Sequence, residues 1–222
     1  ILILFSFSIN ANEKTYKMVF VPASEKGDES DYKGLISITE KLTSLNIETI
    51  KVTDYNAAVE AMRAGRAHIA WYGGKTYVKA AEIANAEAFA AGVRPGEKDA
   101  GYYTYFVVKK DSKLVKFEDV KGTNLSLNTI GSTSGDLIPQ VELSKINLSV
   151  KNKDHFKNVF YAGSHDACLL AVLNNQADVC GMSSRNFEAR IEDKTIKLED
   201  VRIIHKSDRV PPPPLAYSKL IP

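Results

Sequence analysis

Two stretches of this chain follow one plan. Tyr55 to Ala70 aligns without gaps on His165 to Cys180. Each reads as a helix ending at a residue suited to the left-handed conformation, Gly65 in the first copy and Asn175 in the second. A short strand follows in both, and Ala57, Ala61 and Ala67 fall on Ala167, Ala171 and Ala177. Unrelated helix–turn–strand units can also align, but the shared cap and alanine spacing favour two lobes of similar design. Their first residues, Tyr55 and His165, each open a helix just after a strand. In open α/β sheets ligands bind beyond the carboxyl ends of the strands. Two such lobes face to face would present Tyr55 and His165 to one cleft.

The rest of the chain extends the pattern. Strands are expected at Lys17–Val21, Ile47–Val52, Ala67–Trp71, Tyr105–Val108, Asn124–Leu127, Val159–Ala162, Val179–Cys180 and Val201–Ile204. Helical spacing is seen over Tyr32–Leu45, with apolar Leu35, Ile36, Ile38, Leu42 and Leu45. Helices are also expected at Tyr55–Ala64 and Asp166–Leu173. Strands alternating with helices imply βαβ units and a largely parallel sheet.

Composition narrows the function. Of 222 residues, 44% are hydrophobic, enough for a core, so wholesale disorder is excluded. The 29 basic and 27 acidic residues leave a net charge of +2, too balanced for a dedicated nucleic-acid binder. Two cysteines and four scattered histidines make neither a zinc site nor a disulfide scaffold. Cys168 and Cys180 stand where the first copy of the repeat has Ala58 and Ala70, so both are expected to face the core. Whether they pair stays open.

The ends differ from the middle. Ile1–Ile9 is an uncharged apolar run, too short to span a bilayer, followed by polar Asn10 to Lys14. It reads as part of a secretory signal over residues 1–12, cleaved near Ala11 or Asn12; the other reading is a buried first strand. With no Met and no basic segment before it, the sequence is expected to begin inside that signal. No cysteine marks a lipid attachment point, and no later segment reaches the ~18 apolar residues of a spanning helix. A soluble, exported protein is expected. At the other end Pro211–Pro214 forms a stiff segment. Leu215–Pro222 reads as too short for another packed element, so the chain is expected to continue.

One segment suits an anion. Gly131-Ser132-Thr133-Ser134-Gly135 follows a strand and precedes a helix-like run through Leu143. Free N–H groups at a helix start attract negative charge, and three hydroxyls add donors. A plain Ser/Thr cap is the alternative. The Lys of a nucleotide-binding loop is absent, as is a GxSxG elbow. Asp166 and Asp178 would serve catalysis only beside a nucleophile.

Together these segments resemble the periplasmic phosphonate- and phosphite-binding proteins of ABC importers. The resemblance runs from about Lys17 to Leu215. It is carried by Asp54-Tyr55, Ala70-Trp71-Tyr72-Gly73, Gly101-Tyr102-Tyr103, Ser132-Thr133-Ser134-Gly135, Gly163-Ser164-His165-Asp166, and Lys206-Ser207 with the prolines. It implies a two-lobed type II periplasmic-binding fold, α/β, each lobe a mostly parallel sheet flanked by helices, with a hinge between lobes. Lobe 1 would be 15–101, lobe 2 102–205, and 206–222 a return crossover into lobe 1. Ser132, Thr133 and Ser134 would hold the phosphonyl oxygens, with Tyr55, Tyr102 and His165 closing over them. Acids that receive an amine in some members appear here as Arg185 and Pro213, which argues against an aminated ligand unless acids such as Glu25 or Asp28 serve instead. The implied function is a monomeric, non-catalytic solute-binding protein in the periplasm, without metal or cofactor, that captures a phosphonate, phosphite or phosphate and meets an ABC permease in the inner membrane. An enzyme of similar fold acting on a small phosphorylated or carboxylated substrate, or a periplasmic sensor domain, are the competing readings.

Overall fold

A computed structural model of the chain describes residues 14–23, 29–94 and 96–221. The expected signal over residues 1–12, and Glu25 and Asp28, lie outside the described residues. Two five-stranded sheets carry the structure. The first contains β1 (Thr15–Phe20), β2 (Asn46–Ile50), β3 (Ile69–Trp71), β4 (Ala86–Ala91) and β10 (Pro214–Ser218), in the order β2-β1-β3-β10-β4. The second contains β5 (Thr104–Lys109), β6 (Asn124–Leu127), β7 (Asn158–Tyr161), β8 (Val179–Ser183) and β9 (Val201–Lys206), in the order β7-β6-β8-β5-β9. The orders superimpose strand for strand: β1 with β6, β2 with β7, β3 with β8, β10 with β5, β4 with β9. β1 is parallel to β2 and β3, and β6 to β7 and β8; β10 and β5 run antiparallel to both their neighbours. The expected parallel sheets are therefore each interrupted by one reversed strand.

That reversed strand is where the two lobes exchange chain. The first crossover leaves β4 and enters β5; the second leaves β9 and enters β10. Tyr102 and Val210 pair between them, each N–H donating to the other's carbonyl at 3.1 and 2.7 Å. β10 corrects the expectation that nothing packed could follow the prolines. A short strand is stable when both edges are already waiting, and β10 bonds to β3 and β4 at once. Proline is tolerated at the first strand position, and the Pro214 carbonyl still accepts from the Tyr72 N–H at 3.1 Å.

The helices are α1 (Glu29–Thr43), α2 (Tyr55–Arg63), α3 (Gly74–Ile83), α4 (Ile138–Lys145), α5 (His165–Leu173) and α6 (Ser184–Glu192). The repeat is real: α2–β3 and α5–β8 occupy equivalent places, with Gly65 and Asn175 both left-handed at φ +68° and +58°. The helices α3 and α6, which follow the repeat in each lobe, are not apparent from the periodicity, nor is β4. The first core gathers Val19, Val59, Met62 and Tyr72; the second sheet is covered on one side by Leu169, Val172 and Phe187 and on the other by Leu127 and Leu143. Cys168 and Cys180, both fully buried, form a disulfide between α5 and β8.

Candidate functional site

A cleft of about 620 Å³ lies between the two sheets, at the ends of β3, β6 and β8 where helices begin. All eight residues singled out in the sequence line it: Tyr55, Tyr102, Ser132, Thr133, Ser134, His165, Arg185 and Pro213.

The anion-type segment is built by a proline. After β6 the chain turns at Gly131 (φ +101°) and enters a π-helical turn, Thr133–Leu137, that leads into α4. Pro139 has no N–H for the Gly135 carbonyl and its ring would crowd that oxygen in an ordinary helix. The turn widens instead: Leu137 N–H reaches the Ser132 carbonyl at 3.1 Å, and the Gly135 carbonyl accepts from Asn128 N–H at 2.9 Å. Wide single turns of this kind concentrate at functional sites. Ser132 caps the turn, its Oγ accepting from Gly135 N–H at 3.1 Å. Thr104 donates its hydroxyl to the Ser134 carbonyl at 3.1 Å, fixing that residue from β5. The first amides of the turn have no earlier helical carbonyl to meet, and Ser132, Thr133 and Ser134 all line the cleft. Gly135 admits no side chain: a Cβ there would stand 2.3 Å from Asn128 Cβ and 2.9 Å from His165 Cε1.

Donors from elsewhere close the ring. Tyr55 is the first residue of α2, placed by the Asp54 cap, whose carboxylate accepts from Ala57 N–H at 2.9 Å. Tyr102 comes from the first crossover and is buried; its phenol is raised by that burial, which outweighs hydrogen bonds shared with the Ser134 and Thr133 side chains. It therefore stays a donor. His165 opens α5 behind the Ser164 cap. Ser183 N–H donates to its Nδ1 at 3.2 Å, so the neutral ring carries its proton on Nε2. Burial lowers the imidazole to about 3, which keeps it neutral and hydrogen-donating at physiological pH.

This has a consequence for stability. The unfolded chain takes up the His165 proton near its ordinary value of 6.5, whereas the folded chain resists until about 3. Stability therefore falls as pH drops from 6.5 towards 3, by up to about 1.4 kcal/mol per pH unit from this residue. Urea midpoints between pH 6.5 and 5 are expected to fall more steeply for the native protein than for His165→Gln. His68, also lowered by burial, leaves the variant some slope of its own; equal slopes would contradict the buried neutral His165.

The outer wall is aromatic and basic. Trp71 donates Nε1–H to the Pro213 carbonyl at 3.1 Å and packs edge-on against Tyr32, centroids 4.3 Å apart. Three arginines, Arg94, Arg185 and Arg190, line the cleft, and among the described lining residues there is no acid. Arg94 is 2.7 Å from Glu188, and Arg190 2.8 Å from Asp193. Arg185 is less neutralised, with Glu97 at 4.0 Å. Its guanidinium donates to the carbonyls of Gly92 and Ala100 and lies 5.8 Å from the Tyr102 ring. Asp178 accepts from Asn124 N–H, at the start of β6, at 2.7 Å, and Asp166 lies 3.5 Å from Arg190.

Arg94, Arg190, Ser183 and Lys75 are missing from the sequence reading. The Ser183-Ser184 pair after the second repeat strand was the available signal, since Ser183 caps α6 from the cleft wall. No spacing marks the others.

Known proteins resemble the chain in sequence and in fold. The chain is 31% identical over 186 residues to the phosphonates-binding periplasmic protein of Escherichia coli K12, covering 81% of this chain and 53% of that one. The chain thus spans about half the length of that curated relative. The crystal structure of a binding protein component of an ABC phosphonate transporter from Pseudomonas aeruginosa superposes with a TM-score of 0.85 at 25% identity, over 95% of this chain and 70% of that one. A Prochlorococcus marinus protein solved in complex with methylphosphonate superposes with a TM-score of 0.82 at 22% identity, over 93% and 77%. The fold is the two-lobed type II periplasmic-binding architecture. Residues 18–222 match the profile of the family described as ABC transporter, phosphonate, periplasmic substrate-binding protein, and the chain belongs to that family.

Proposed function

We propose that this chain is the part of a solute-binding protein that captures a small phosphorus oxyanion between its lobes and delivers it to an ABC permease. The observation that carries the reading is the convergence of Ser132, Thr133, Ser134, Tyr55, Tyr102 and His165 on one cleft. Such a set supplies oriented donors, and His165 is a poor base there: its Nδ1 lone pair already accepts from Ser183 N–H, and burial lowers the ring's proton affinity. That favours binding over turnover. We take residues 15–101 as lobe 1, 102–205 as lobe 2 and 206–222 as the return into lobe 1. The hinge is best placed at the paired crossovers around Tyr102 and Val210, because Tyr105 and Lys206 are already locked in β5 and β9. No described helix is long and apolar enough to cross a membrane, which suits a periplasmic role.

The basic wall sets the ligand's charge. A buried ammonium without an anionic partner costs several kcal/mol of desolvation, and the described wall offers Arg185 where an amine would need an acid. Pro213 offers only a carbonyl, already bonded to Trp71. Phosphite, methylphosphonate or a carboxylated phosphonate are the better ligands. Thermal-shift titrations test this, because a ligand that binds only the folded state raises its stability. Methylphosphonate is expected to bind at least as tightly as 2-aminoethylphosphonate. A tenfold preference for the aminated ligand, about 1.4 kcal/mol, would overturn the charge argument.

A further inference from the structure

Lys75 is the second residue of α3, in the first lobe, and its partners are in the second. Its Nζ lies 2.6 Å from Asp136 Oδ2, with the Asp136 side chain 2% exposed and that of Lys75 35% exposed. Its backbone N–H donates to Thr133 Oγ1 at 2.9 Å. The approach is close because Gly73 and Gly74 precede it: a Cβ on Gly73 would lie 3.1 Å from Thr133 Oγ1.

The two contacts differ in what they do. Thr133 accepts from Lys75, which leaves its single hydroxyl proton for another partner; Thr133 lines the cleft and shares a hydrogen bond with Tyr102. Asp136 is already fixed within its own lobe by Tyr161 Oη–H at 2.8 Å, Gln140 Nε2–H at 2.6 Å and Gly131 N–H at 3.2 Å. It keeps those donors if the lobes part; only Lys75 leaves. Burial alone would raise the Asp136 carboxyl, but the hydrogen bonds from Lys75, Tyr161 and Gly131 outweigh it and hold it below its ordinary value. The ion pair thus bridges the two lobes in this structure, and were the lobes to part, salt would screen it beyond about 8 Å of separation.

We infer that Lys75 is a positioning residue that latches the closed cleft, tying the oxyanion-holding turn to the opposite lobe through Thr133 and Asp136. The inference rests on the proposed capture of a phosphorus oxyanion. A latch that forms after the ligand has entered slows release and leaves capture nearly unchanged.

Trp71, the only tryptophan of the chain, lines the cleft and reports on it by fluorescence. Stopped-flow fluorescence with methylphosphonate separates the two rates. Lys75→Met is expected to release the ligand about tenfold faster, the effect of a half-buried pair lying between exposed and buried ones, with an unchanged association rate. Lys75→Arg, which keeps the charge, is expected to restore slow release. Small-angle scattering at saturation should show Lys75→Met less compact than the native protein. Native release in Lys75→Met overturns the latch while leaving the binding reading intact. Equal loss in Lys75→Met and Lys75→Arg also overturns it, since charge would then play no part. If the folded native protein fails to bind methylphosphonate at all, the functional reading and the latch fall together.

Discussion

Thr133→Ala and Ser134→Ala are each expected to weaken methylphosphonate binding by about 1.5–3 kcal/mol, roughly ten- to a hundredfold in Kd. Each change removes a donor to a charged oxygen, and hydrogen bonds to charged groups are the strong class. Thr133→Ala also removes the acceptor for the Lys75 N–H, so its loss includes a contact between the lobes. The double variant is expected to lose about 3–6 kcal/mol where the two act independently. Ser132→Ala behaves differently, because Ser132 also caps the π-helical turn through Gly135 N–H. It is expected to cost about 1 kcal/mol of fold stability besides affinity. Calorimetry on the three single variants decides the matter: native affinity in all of them would remove the triplet from the site.

The disulfide gives the second large effect. Cys168 and Cys180 are separated by 12 residues and are both fully buried, one on α5 and one on β8. Closing a loop of that length removes unfolded-state entropy worth about 3 kcal/mol. The equivalent pair in the first lobe is Ala58 and Ala70, also fully buried, which shows that small apolar side chains can fill such a position. The Cys168→Ala/Cys180→Ala variant should therefore fold, with its urea midpoint lowered by an amount corresponding to about 3 kcal/mol. An unchanged midpoint in the oxidised native protein and the variant would mean that the bond contributes nothing.

The legible parts of the fold were those whose pattern is local. The α2–β3 and α5–β8 units repeat because each needs the same cap, the same small residues against its sheet and the same left-handed exit. α3 escaped notice because its buried positions are Thr76 and Ala80, while apolar Val78 and Ile83 stay exposed. α6 hides similarly, burying Ser184, Phe187 and Arg190. In α1 the periodicity was readable but its meaning was not: Ile36 packs inward with Tyr32, whereas Ile38 and Leu42 are exposed. β4 and β10 depend on each other, and β10 lies at the far end of the chain, so neither announces itself locally. The site shows the same division. The hydroxyl triplet and the two helix-opening residues stand at recognisable turns. Asp136 and Lys75 do not, since nothing in a run of sequence marks a pair that forms only across two lobes.

Titration calorimetry of methylphosphonate into the native chain tests the central claim most directly. The expected result is saturable heat at one ligand per chain, weakened in Ser134→Ala. Absence of heat from folded protein at ligand concentrations on the order of 1 mM, where even a Kd equivalent to about 4 kcal/mol is detected, would contradict capture of a phosphonyl anion in this cleft.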